Sequence, residues 1–211
     1  SAQAEYTPPV LYSKESRSKL MFLVEARRKT AFKSADTFVR AMQDPELRQA
    51  FLDSNVCQIF LGRSSESEGR DIVRHLMELT QKDELRGRVI YVPNFNAADA
   101  PLVFQGADVV AMWSQLKTEG AGLGYMKGLV NAAPAMVTRT GGPLEHIRHG
   151  HNGVIVDGYE DDGRPSPAAL IGAMEELSAR YVESQRLEAA GGWDTAWHLM
   201  MWEALQTAPL V

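Results

Sequence analysis

The chain has 211 residues, 45% of them hydrophobic and 23% charged, with a net charge of −5. That is enough for one α/β domain with a real core, and the acidic balance argues against nucleic acid as a partner. One cysteine, Cys57, excludes an internal disulfide. No apolar run approaches the length of a membrane span, and the polar, Pro-containing start is unlike a signal peptide. A cytoplasmic location is the expectation.

Residues 1–18 read as a linker or an expression remnant, and 19–211 as a single domain. Leu20–Glu25 is a candidate first strand. Lys33–Met42 and Pro45–Phe51 look helical, with Pro45 suited to a first turn. Val56–Leu61 is a buried strand that holds Cys57 and closes at Gly62. Ser65–Thr80 has helical apolar spacing after a Ser/Glu-rich start. Arg88–Val92 and Asp108–Met112 are strands around a short helix at Ala97–Gln105. A helix follows Gly122, then strands at Ala135–Thr138 and Gly153–Val156. Asp157–Pro167 reads as an exposed loop before two closing helices, Pro167–Ser184 and Trp193–Gln206. The fold class is α/β: a Rossmann-like, doubly wound parallel sheet of about six strands with helices on both faces. Ligands of such sheets bind at the carboxyl ends of the strands, here residues 26–33, 62–66 and 113–124.

Two patterns carry chemistry there. Arg27-Arg28-Lys29 and Lys33 follow the first strand. Arg28 and Lys33 are spaced so that a loop-to-helix transition could aim both at one diphosphate. A solvated basic helix start is the plainer reading. Thr118 to Gly128 contains Glu119 and the glycines Gly120, Gly122 and Gly124, and Arg139-Thr140-Gly141-Gly142 follows the next strand. Glycine-rich turns bring backbone N–H groups close to an anion, and a carboxylate accepts from sugar hydroxyls. A lone glycine-rich turn is a weak signal. Lys127 is by default a surface lysine. His146, His149 and His151 lack metal-ligand spacing, so no metal is expected. Trp193, Trp197 and Trp202 suggest one packed helix face.

In order, the basic pair, Gly106-Ala107-Asp108 before a strand, Glu119 with its loop, Arg139-Thr140-Gly141-Gly142 and Asn152-Gly153-Val154-Ile155-Val156 resemble a known domain. It is the C-terminal, donor-binding half of GT-B-fold glycosyltransferases, with glycogen and starch synthases and the α-glucan phosphorylases as the nearest branches. The resemblance implies a retaining transferase that moves glucose from a nucleoside diphosphate sugar to a glycan or other acceptor. It implies that Arg28 and Lys33 bind donor phosphates and that Glu119 serves the donor sugar. It places Gly120, Gly122, Leu123, Gly124, Asn94, Thr140 and Gly141 around the donor, with no covalently bound cofactor. It also implies a missing N-terminal domain, without which the chain is inactive. Met126-Lys127 and Asn131 match the phosphorylase branch, where Lys127 would hold pyridoxal phosphate. Ala121, Leu123 and Phe95 stand where that branch has serine, threonine and tyrosine. Gly122-Leu123 and Arg139 to Gly142 match the synthases. A transferase is favoured, a pyridoxal phosphate phosphorylase is the alternative, and a non-catalytic binding module is a third reading.

Overall fold

The computed structural model describes residues 20–118, 122–192 and 196–208. Six strands form one all-parallel sheet: β1 (Met21–Ala26), β2 (Val56–Leu61), β3 (Val89–Val92), β4 (Val109–Met112), β5 (Ala135–Thr138) and β6 (Gly153–Val156). Their order is β3-β2-β1-β4-β5-β6. The chain winds outward from β1 in one direction, then returns to β4 and winds in the other. The switch point, where a ligand crevice opens, lies between β1 and β4.

The helices are α1 (Asp36–Gln43), α2 (Pro45–Asp53), α3 (Ser67–Thr80), α4 (Ala100–Gln105), α5 (Gly124–Leu129), α6 (Pro143–His146), α7 (Pro167–Ala189) and α8 (Ala196–Thr207). A 3-10 turn at Ala31–Lys33 precedes α1. Short apolar strands buried on both faces explain the architecture. Along β4, Val109 and Ala111 join the larger core with Phe38, Phe60, Leu76 and Leu170. Val110 and Met112 point the other way, toward Phe104 of α4 and Tyr125 and Leu129 of α5. Gly128 lets α5 lie directly on β4, since a Cβ there would stand 2.7 Å from Val110.

The predicted strands all appear, within a residue or so at each end. Three readings change. The one-turn α6, which ends at His146, is absent from the sequence reading. The segment after β6, expected as an exposed loop, is a strapped hairpin, half-buried along much of its length. Tyr159 bridges Pro165, Arg40 pairs with Glu160 at 2.6 Å, and Arg164 pairs with Asp36 at 2.7 Å. The tryptophans of α8 do not share a face: Trp197 is buried and Trp202 is 58% exposed. Five helical residues turn through about 500°, which puts them on different sides. Trp193 lies outside the described residues. No described helix is long and apolar enough to cross a membrane.

Candidate functional site

At the carboxyl end of β1 the chain reads Glu25-Ala26-Arg27-Arg28-Lys29. Arg27 N donates to Leu61 O at 3.0 Å and Lys29 N to Arg63 O at 3.1 Å, so the segment runs on beside the end of β2. Gly62 (φ +117°) permits this, because a Cβ there would come within 2.3 Å of Arg27 O. Gly69 in the first turn of α3 is equally tight, since a Cβ there would come within 2.2 Å of Lys29 O. Arg28 is exposed, and its side chain makes no hydrogen bond or ion pair with another described residue. Lys33 is half-buried, its Nζ 5.5 Å from the centre of the Phe32 ring.

Lys29 corrects the reading of the basic run. It does not face solvent but is fully buried. Its Nζ is salt-bridged to the Glu25 carboxylate and donates to Arg27 O at 2.9 Å and Leu61 O at 3.0 Å. Burial pushes the Glu25 carboxyl up and the Lys29 ammonium down, and their mutual attraction opposes both shifts. Arg27 Nη2 donates to Ser114 Oγ at 2.8 Å, which spans the switch point.

The opposite wall is the segment after β4. Trp113 is fully buried and donates through Nε1 to Ser34 O at 3.0 Å. Gln115 N donates to Phe32 O at 2.8 Å. Thr138 Oγ1 accepts from Ser114 N at 2.9 Å and donates to Ser114 O at 2.7 Å, which ties the ends of β4 and β5. The hairpin after β6 supports this wall, with Leu116 N donating to Gly163 O at 2.8 Å.

Glu119, Gly120 and Ala121 lie outside the described residues. Gly122 (φ +60°) and Gly141 (φ +63°) both adopt left-handed turns. Leu123 is 59% exposed, and Gly124 opens α5. Thr140 is buried, and its Oγ1 has no hydrogen-bond partner among the described residues. Asn94 is exposed beyond β3. Lys127 is exposed on α5, with its Nζ 5.6 Å from the centre of the Phe104 ring on α4. The histidines serve separate contacts: His146 Nδ1 lies 2.8 Å from Tyr125 Oη, and His149 Nε2 lies 3.4 Å from Glu176. Cys57 is buried, its thiol pushed up to about 12 by desolvation, so it is an unreactive strand residue.

The profile of the family described as "Glycosyl transferases group 1" matches residues 13–191, most of the chain. The chain belongs to that family. The chain is similar to the D-inositol 3-phosphate glycosyltransferase of Corynebacterium diphtheriae, 30% identical over 69% of this chain and 31% of that protein. The glycogen phosphorylase of Mycobacterium tuberculosis is 26% identical over 86% of this chain and 22% of its own length. The solved structure of Anabaena HepE with UDP and glucose superposes with a TM-score of 0.65 at 18% identity, over 94% of this chain and 48% of that one. The chain thus spans less than half the length of these relatives and has the Rossmann-like domain architecture of GT-B glycosyltransferases.

Proposed function

We propose that this group 1 glycosyl transferase chain is the donor-binding part of an enzyme that transfers a sugar from a nucleoside diphosphate sugar, with glucose as the favoured sugar. One observation carries the reading: Arg28, an exposed arginine without a side-chain partner among the described residues, stands at the switch-point crevice where open α/β sheets bind ligands. The UDP held by HepE, which shares the fold, supports a nucleotide as the ligand.

Arg28 and Lys33 take the diphosphate, and their charge offsets what builds up on it as the glycosidic bond breaks. Glu119 serves the sugar hydroxyls. Gly122, Leu123, Gly124 and Gly141 let backbone approach the donor, and the Thr140 hydroxyl supplies a further polar contact. Asn94, beyond β3, faces the nucleoside end. The acceptor side is supplied by a further domain, so this chain alone binds donor without transferring it.

Glycogen phosphorylases among the relatives favour a second reading, with pyridoxal phosphate on Lys127. The exposed position of Lys127 against the α4 ring does not fit an aldehyde held in the crevice, and no step is assigned to that cofactor. Calorimetric titration with UDP, ADP and GDP tests the primary reading. One nucleotide binds selectively, and Arg28→Ala weakens it by about 10- to 100-fold, the worth of one charge-assisted contact. Binding by Arg28→Ala at wild-type strength contradicts the site assignment. A Lys127-dependent chromophore on adding pyridoxal phosphate, without nucleotide binding, replaces the reading with the phosphorylase one.

A further inference from the structure

We propose that Lys29 is the positioning residue of the diphosphate-binding segment: its buried ammonium, held by Glu25, Arg27 O and Leu61 O, fixes the backbone that presents Arg28 to donor phosphate. The inference rests on the nucleotide reading above and deepens it.

Arg28 has a side chain without a partner among the described residues, on a pinned backbone. The residue before it is held twice, by Arg27 N on Leu61 O and by Lys29 Nζ on Arg27 O. The residue after it is held by Lys29 N on Arg63 O, and Gly69 packs against its carbonyl. Leu61 O accepts from both Arg27 N and Lys29 Nζ, so one β2 carbonyl sets the register of the whole turn. Glu25 fixes the ammonium from below through the salt bridge and lies 4.0 Å from Arg27 Nε on its other oxygen.

Stability alone is a poor reason for this arrangement. Replacing a buried ion pair by a well-packed apolar pair is often neutral or stabilising. What an apolar pair cannot do is donate to Arg27 O and Leu61 O together. The pair therefore defines geometry next to Arg28, an exposed cation whose side chain has no partner among the described residues.

The test measures affinities of the full chain for UDP and UMP by calorimetry, in wild type, Lys29→Met and Glu25→Gln/Lys29→Met, with thermal unfolding alongside. The UDP-to-UMP ratio reads the distal phosphate, which the proposal assigns to Arg28. Both variants lower that ratio about tenfold with UMP affinity unchanged, the size of one misplaced charge-assisted contact. The double variant does so while keeping a melting temperature near wild type, which separates positioning from folding. A folded double variant with the wild-type ratio overturns the proposal, as does equal loss of UMP and UDP. Should the methionine variants not fold, Lys29→Gln, whose shorter arm draws its donor back from Arg27 O and Leu61 O, is expected to lower the ratio in the same way. A wild-type chain that binds neither nucleotide overturns the nucleotide reading and the positioning role together.

Discussion

Lys29→Met lowers the unfolding free energy by about 3–5 kcal/mol at neutral pH, because it strands the Glu25 carboxylate in the protein interior. Both side chains of the pair are at most 1% exposed, so water cannot take the ammonium's place. The effect depends on pH with a definite sign. Without its partner the Glu25 carboxyl is pushed further above its ordinary value of 4.5 by desolvation. A carboxyl with a raised folded-state pKa binds more protons when folded, so the penalty is absent below about 4.5 and grows as pH rises toward the folded-state value. Urea unfolding at acid and neutral pH checks this. Glu25→Gln/Lys29→Met removes both charges, and its stability loses this pH dependence. A single variant as stable as wild type at neutral pH would show that the pair is not dry.

Trp113→Ala costs about 3–5 kcal/mol, the range for deleting a large buried aromatic. Trp113 is fully buried, its ring meets Phe60 edge-on with centroids 6.0 Å apart, and Nε1 holds Ser34 O. Its loss acts on both crevice walls at once. Ser34 closes the turn after the basic segment, and Ser114, the next residue, carries the bonds to Arg27 and Thr138. Trp113→Phe keeps most of the packing and removes only the N–H, for about 0.5–1.5 kcal/mol, because Ser34 O still accepts from Thr37 N at 3.0 Å. Urea unfolding of both variants measures the split. Near-equal losses would place the indole N–H, rather than the packing, at the centre of this joint.

The sheet was legible because its strands are short apolar runs cut off by Gly, Pro or Asp, and Val56–Leu61 and Ala135–Thr138 appear at the predicted residues. The α6 turn was not legible, since four residues carry no helical period. Helix α7 outruns its predicted end at Ser184 because local polar pairs extend it: Arg186 with Glu183, and Ser184 with Glu188. The basic residues at the crevice were readable from their place after the first strand. The fate of Lys29 was not. In an Arg-Arg-Lys run it reads as one more solvated cation. Its burial depends on Leu61 O, which lies 32 residues away. The same holds for Thr138, whose hydroxyl serves Ser114 rather than a ligand.

The proposed occupant of the crevice between β1 and β4 is a nucleoside diphosphate. Backbone amide chemical-shift mapping of the isotopically labelled chain during a UDP titration tests it most directly. The predicted result is a set of saturable shifts confined to the strand-end segments 27–33, 62–66, 113–118 and 139–142, with Arg28 among the largest. Shifts centred instead on the α7–α8 end of the molecule, or none at saturating UDP, would contradict the account.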